Sequence, residues 1–94
     1  MLPRVHRLPG YRVRQLLSAP VVKREPGLTV KAAANHLDRP RFGVVITKKA
    51  ARGAVQRNNM KRQTMIAIEK QIGAYEPGKD YLFLVYEAPH FKAD

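Results

Sequence analysis

One long stretch with helical periodicity lies between two short apolar stretches, and this arrangement limits the folds that the chain can adopt. The helical stretch runs from about Gly53 to Ala74. The stretch before it, "RFGVVITKK", is apolar on both faces, which is typical of a central strand. The stretch after it, "YLFLVYEA", predicts a last buried strand that Pro89 should end. With 94 residues, the chain has room for one domain and too little for two.

Shorter signals precede this strand–helix–strand unit. Residues 1–10 are predicted to form an extended basic arm, followed by a short helix from about Tyr11 to Ser18. An edge strand with a turn at Pro26-Gly27 comes next, and "LTVKAAANH" then predicts a strand with one buried face. The order of helix, two or three strands, helix and strand predicts a small α+β fold that forms a single domain over residues 1–94.

The long helix changes character along one of its faces. At helical spacing one stripe contains two cations followed by three apolar residues: Arg57, Lys61, Met65, Ile68 and Ile72. A helix lying wholly on a core would not bury the two cations, because unpaired buried charge is unfavourable. We therefore expect the C-terminal half to pack on the sheet and the first turns to extend beyond its edge.

Positive charge is concentrated around the first turns of this helix. From Arg39 to Arg62 the chain has eight Lys or Arg residues and no Asp or Glu, within a net charge of +11. Cations near a helix N-terminus oppose the macrodipole, at about 0.3–1 kcal/mol each at low salt. A bound phosphate backbone would offset both this conflict and the self-repulsion. We therefore predict nucleic-acid binding by a basic ridge of six cations: Lys48, Lys49, Arg52, Arg57, Lys61 and Arg62.

Composition excludes several kinds of site, but it leaves more than one explanation for the positive charge. The absence of cysteine excludes disulfides, thiolate metal sites and thiol nucleophiles, and it fits a reducing cytoplasm. No apolar run approaches the roughly 20 residues of a membrane span, and the N-terminus lacks the apolar core of a secretory signal. A solvated basic face or an anionic membrane surface would also accommodate the charge, although the ridge lacks the exposed aromatic residues that favour membrane binding.

The other polar groups do not form a recognisable catalytic or metal site. No metal-ligand spacing relates the three histidines, His6, His36 and His90. Neither a Ser/His/Asp grouping nor a Gly-rich phosphate loop is present. A nuclease with its own two-carboxylate centre is poorly supported, because the acids of the C-terminal half lie outside the ridge: Glu69, Glu76, Asp80 and Glu87. We predict no catalytic residue, no metal site and no cofactor bound by the protein alone.

Two further features have both a functional and a structural interpretation. Lys31, on the polar face of its strand, could contact a backbone phosphate or be solvated. Tyr81, Phe83 and Tyr86 could stack on bases. Because their strand is so apolar, we expect all three aromatic residues to lie in the core.

The segment "RFGVVITKKAARGAVQRNNMKRQ" resembles the signature of the bacterial ribonuclease P protein subunit. In that family a strand ending in Lys-Lys leads through a short basic loop into a helix opening Arg-Asn-Arg-x-x-Lys-Arg or Arg-Asn-Arg-x-Lys-Arg. The match here is Arg57-Asn58-Asn59-Met60-Lys61-Arg62, with Asn59 where the family usually has Arg. "MLPRVHRL" and "PGKDYLFLVYEAP" are also similar to the family's ends. The first helix offers Tyr11 but lacks the aromatic pair that would line a leader-binding cleft.

This resemblance implies both a fold and a division of labour. The fold would be a sandwich of a mixed sheet and helices like the second domain of ribosomal protein S5, with a left-handed βαβ crossover. The catalytic centre would belong to a partner RNA with bound magnesium, which removes the 5′ leader from precursor tRNA in the cytoplasm. The protein would bind the RNA subunit and precursor tRNA. By resemblance, the contact residues would be Arg57, Asn58, Lys61 and Arg62, supported by Lys48, Lys49 and Arg52.

Two rival functions remain compatible with the sequence. A structural RNA-binding protein of ribosomal type could share the fold, because a fold alone does not determine function. A self-contained regulator would instead bind specific DNA or RNA sequences without any partner RNA.

Overall fold

Residues 2–87, described by a computed structural model, form two helices and one four-stranded sheet. The helices are α1 (Gly10–Leu16) and α2 (Ala54–Lys70). The strands are β1 (Val21–Glu25), β2 (Leu28–Ala34), β3 (Arg41–Ile46) and β4 (Lys79–Val85). This order confirms the α+β prediction, with three strands before the long helix. Pro89 and His90 lie outside the described residues.

The sheet is mixed, with the strand order β1-β2-β4-β3. β2 pairs antiparallel with both β1 and β4, whereas β3 and β4 are parallel neighbours. α2 connects these two parallel strands, so the predicted βαβ crossover is present. The left hand expected for it stays a prediction. β4 occupies an interior position, and its residues from Asp80 to Val85 are all buried.

β3 lies at an edge of the sheet, so its prediction as a central strand was wrong. The N-terminal arm covers part of this edge, where the Leu8 amide donates to the Phe42 carbonyl at 2.9 Å. Gly43 leaves room for the arm, because a Cβ on it would lie 2.9 Å from Leu8 Cδ2. β3 is apolar on both faces because α2 packs on one side of the sheet and Leu8 on the other.

The arm itself differs from the extended segment that was predicted for residues 1–10. It contains a 3-10 turn at Arg4–His6. Leu2 is fully buried in the core on the α2 side of the sheet, and His6 Nδ1 lies 2.8 Å from the Pro40 carbonyl oxygen. These contacts hold the arm against the sheet because burying an apolar side chain stabilises it by roughly 1.5–3 kcal/mol.

α2 packs on the sheet through its C-terminal half, as predicted. Thr64 and Ile68 are buried, whereas the turn that opens the helix is exposed. The helix ends at Lys70 and a separate 3-10 turn, Ile72–Ala74, completes the segment that was predicted as one helix. No helix within residues 2–87 combines the length and apolar character that crossing a membrane requires.

The aromatic residues of β4 only partly follow the prediction that they belong to the core. Tyr81 and Phe83 are buried beside Phe42 and Tyr75, with ring centroids 5.0–6.4 Å apart. Tyr86 is 38% exposed, so its prediction as a core residue was wrong. It follows the last residue of β4 and therefore lacks the cover that the sheet interior gives its neighbours.

Asp80 is a fully buried carboxylate that joins three parts of the fold. Arg41 binds it with two hydrogen bonds, from Nε to Oδ1 at 2.8 Å and from Nη2 to Oδ2 at 2.7 Å. Arg12 Nε donates to Oδ2 and Asn35 Nδ2 to Oδ1, each at 2.9 Å. Burial by itself raises the pKa of the carboxyl, but hydrogen bonds from Arg41, Asn35 and Arg12 outweigh it and hold the pKa below its ordinary value.

Candidate nucleic-acid interface

The basic ridge follows the chain from the end of β3 into the start of α2. Its first two members, Lys48 and Lys49, lie exposed in a turn after β3. The Ala50 and Ala51 amides donate to the Thr47 carbonyl, at 3.0 and 3.3 Å, and shape this turn. The ridge cations therefore lie in the turn after β3, in the loop that follows it and in the first turns of α2.

The N-terminus of α2 has no local compensation for the positive charge around it. Gly53 at the cap position has no side chain that could accept from the free amides, and the first turn contains no acidic residue. Asn58, Lys61 and Arg62 are all exposed further along the helix. Free amides and nearby cations make this helix end a site where an anion would be stabilised.

Arg57 has a structural role that the sequence did not reveal. It is half-buried, and its Nη1 donates to the carbonyls of Ala51 at 3.3 Å and Arg52 at 2.8 Å. The side chain therefore turns back from the helix and holds the loop that carries the other ridge cations. RNA contact by Arg57 stays a prediction, but the residue also fixes the shape of the surface.

Replacing Arg57 with Ala should loosen this loop and lower the free energy of unfolding by about 1–2 kcal/mol, because two hydrogen bonds from a charged donor are lost. Hydrogen exchange of the Ala50 and Ala51 amides should become faster. Lys61→Ala, one turn further along α2, is the control and should leave that exchange unchanged. Unchanged exchange in Arg57→Ala would show that the loop does not depend on this side chain.

Lys31 lies away from the ridge. Its Nζ donates to the Leu17 carbonyl at the end of α1. Its neighbours Val30 and Ala32 point into the core on the α2 side, so Lys31 lies on the opposite face of the sheet. The structure therefore does not bring Lys31 together with the other predicted RNA-binding residues, and it gives this lysine a capping role at a helix C-terminus.

Arg7 was missed by the sequence analysis as a possible member of the site. It lines a groove with three residues of the α2 motif, Asn58, Lys61 and Arg62. The sequence showed that the arm is basic but not which part of the fold it approaches. That information required the isolated bridge between Arg7 and Phe42 on β3.

Within residues 2–87, no cation of the ridge has a carboxylate partner, a property that the ridge shares with Arg4, Arg14 and Lys31. Across residues 2–87, the ion pairs of Lys and Arg with Asp or Glu involve Arg12, Lys23, Arg39, Arg41 and Lys79, all outside the ridge. Within the same residues, no three His, Cys, Asp or Glu side chains are grouped so that they could hold a metal ion. The ridge is therefore suited to a polyanion.

Comparison with known proteins gives this geometry a family context. Residues 4–92 match the model of a family described as Ribonuclease P. A similar solved structure is the Thermotoga maritima RNase P protein in complex with 1-(4-fluorophenyl)-2-thiourea, at 26% identity and a TM-score of 0.71, over 84% of this chain and 74% of that one. A Staphylococcus aureus RNase P protein mutant with defective mRNA degradation activity is 20% identical, with a TM-score of 0.71, over 87% and 70% of the two chains.

Proposed function

The chain belongs to the ribonuclease P protein family, and on that premise we propose that its basic ridge binds the RNA subunit of the enzyme and precursor tRNA. As a protein component of ribonuclease P, it takes part in tRNA processing. Because the chain belongs to this family, we favour this function over the two alternatives, a ribosomal-type structural protein and a self-contained regulator.

The observation that carries this proposal is the state of the ridge cations. Lys48, Lys49, Arg52, Lys61 and Arg62 are exposed. None of these side chains pairs with a carboxylate within residues 2–87. Phosphates would neutralise them and release condensed counterions, which is the main source of affinity in such interfaces. Lys31 does not belong to the proposed surface.

We further propose that the protein positions RNA while the RNA subunit supplies the catalytic centre. Magnesium prefers oxygen ligands, and the ammonium and guanidinium groups of the ridge would repel it. Among residues 2–87, Asp80 is the fully buried carboxylate, and it is already held by Arg12 and Arg41. The magnesium of the holoenzyme would therefore be bound by RNA. We place the holoenzyme in the cytoplasm, which the cysteine-free sequence supports.

Cleavage of precursor tRNA by a bacterial ribonuclease P RNA at low magnesium tests the proposal. Addition of this protein should stimulate cleavage, because its cations lower the repulsion between the two RNAs. The same reaction at high magnesium should depend less on the protein. A folded protein that binds RNA but gives no stimulation at low magnesium would contradict the proposed function.

A further inference from the structure

The first helix, α1, depends on the rest of the fold for its position. It has seven residues, and its cap residue, Pro9, has no side chain that could accept from the free amides. Isolated helices shorter than about 12–15 residues are marginal in water. Leu16 is fully buried beside Leu82 and Leu84. Because such apolar contact is non-directional, it does not by itself fix the orientation of α1 on the sheet.

Arg12 supplies directional contacts between α1 and the sheet. Its Nε donates to Asp80 Oδ2 at 2.9 Å, and its Nη2 donates to the Ala34 carbonyl at 2.7 Å. Its Nη1 donates to Gln15 Oε1 at 2.8 Å, within the same helix. The guanidinium is planar and its donors point in fixed directions, so contacts with two strands define how the side chain lies. Arg12 therefore ties α1 to β4 and to the end of β2.

The carboxylate that accepts from Arg12 is itself held in place. Asp80 is fully buried and also accepts from Arg41 and Asn35, so both of its oxygens are occupied. Arg41 is the first residue of β3, and the ridge begins just after that strand, at Lys48. Asp80 thus joins α1 to the strand that leads into the ridge.

The position of α1 determines the space in front of part of the ridge. Across the edge of β3, Gly10 and Val13 of α1 lie opposite Asn58, Lys61 and Arg62 of α2, and together they line a space of about 450 Å³. Val13 directly follows Arg12 in the chain. A change in the orientation of α1 that releases Arg12 would therefore also move Val13 and alter the width of this space.

We propose that Arg12 is a positioning residue for RNA binding, because it holds α1 on Asp80 and so sets the space in front of Lys61 and Arg62. The inference rests on the proposed function and assigns a role to a residue outside the ridge. Arg12 itself does not contact phosphate, since each of its three nitrogens already donates a hydrogen bond and its charge is paired with Asp80. A cation that contacts phosphate releases counterions, whereas a positioning residue does not.

The first test compares Arg12→Gln with Arg14→Gln. Arg14 is an exposed cation of the same helix, and both variants lower the net charge by one. Affinity for a bacterial ribonuclease P RNA and for precursor tRNA is measured by filter binding over a range of salt concentrations. Arg12→Gln should weaken binding about fivefold and leave the slope of log K against log salt unchanged. Arg14→Gln leaves α1 anchored, so any loss of affinity it causes should come with a lower slope.

Two results of this comparison would overturn the inference. One is unchanged affinity in Arg12→Gln. The other is a slope lowered by about 0.7–0.9 in Arg12→Gln, because that change is expected when one phosphate contact is lost.

A distance measurement separates positioning from a loss of stability. Because the chain has no cysteine, Arg14→Cys and Gln63→Cys place spin labels at one exposed residue of α1 and one of α2. Electron–electron double resonance should give a narrow distance distribution with Arg12 and a broader one with Arg12→Gln, where circular dichroism shows both proteins folded. Arg12→Lys keeps the charge but cannot bind both Asp80 and the Ala34 carbonyl, so its distribution should be intermediate. Identical distributions in all three proteins would refute the positioning role.

Failure of the inference and failure of the proposed function give different results. Wild-type protein that binds RNA but does not stimulate cleavage at low magnesium would refute the proposed function. In that case, affinity that falls in Arg12→Gln at an unchanged salt slope would still support the positioning role. Stimulated cleavage together with unchanged affinity in Arg12→Gln would retain the proposed function and refute the inference.

Discussion

Asp80→Asn is expected to reduce the free energy of unfolding by about 3–5 kcal/mol, because it removes one partner of a buried ion pair. Both carboxylate oxygens accept N–H donors from Arg12, Arg41 and Asn35. An amide in the same place would direct its own NH₂ donors at one of these groups and leave two guanidinium groups without a counter-charge. Since small domains are stable by only about 5–15 kcal/mol, urea unfolding followed by circular dichroism should show a large shift.

Asp38→Asn is the control, because Asp38 is 94% exposed and approaches Arg39 only at 3.5 Å. It should change stability by less than about 0.5 kcal/mol.

Acid unfolding provides a second measurement of the Asp80 network. Because the folded-state pKa of Asp80 is lowered, its stabilisation is complete above the unfolded-state pKa of about 3.9 and is lost as pH falls through the folded-state value. That part of the acid dependence should disappear in Asp80→Asn; equal acid sensitivity would contradict the assigned network.

The Lys61→Ala/Arg62→Ala double variant should bind the ribonuclease P RNA roughly a hundredfold more weakly. Each side chain is exposed on α2 and would supply one charge-assisted phosphate contact, at about 1.5 kcal/mol each. Stimulation of cleavage at low magnesium should be largely lost, while unfolding in urea should be nearly unchanged. The measurement is RNA affinity by filter binding across a range of salt concentrations.

Lys23→Ala/Lys79→Ala is the matched control for total charge, because both double variants lower the net charge of +11 by two. Lys23 pairs with Glu25 and Lys79 with Glu76, both outside the ridge. This control should retain most of the affinity. Equal weakening by the two double variants would mean that binding follows net charge rather than the ridge, and the proposed surface would be wrong.

The sequence predicted the elements of this fold better than their neighbours in space. Periodicity located α2, and the apolar stretches located β3 and β4. The same stretches could not show that β4 lies between β2 and β3, because burial on both faces produces the same pattern for a central strand and for a covered edge strand. The edge is covered by Leu8, a residue that had no visible connection with β3 in the sequence.

The candidate site was predictable as a charge pattern but not as a set of side-chain roles. The segregation of Lys and Arg around the start of α2 was visible directly. The structure was needed to show the roles of Arg57, Lys31 and Arg7. The sequence does not distinguish a cation that donates to a backbone carbonyl from one that faces solvent. Asp80 was dismissed as lying outside the ridge, and its position between two arginines depends on contacts with Arg12 and Arg41 that are distant in sequence.

The position of β4 inside the sheet sets the order in which the molecule can be completed during translation. β1 and β2 form a hairpin early, but β2 and β3 never touch as strands and can be joined only by β4. The ribosome makes β4 after all three of them. Until its last residue, Val85, has been synthesised, the two halves of the sheet have no common partner. Until then the apolar strands lack their shared neighbour, and the net charge of +11 opposes the association of one incomplete chain with another.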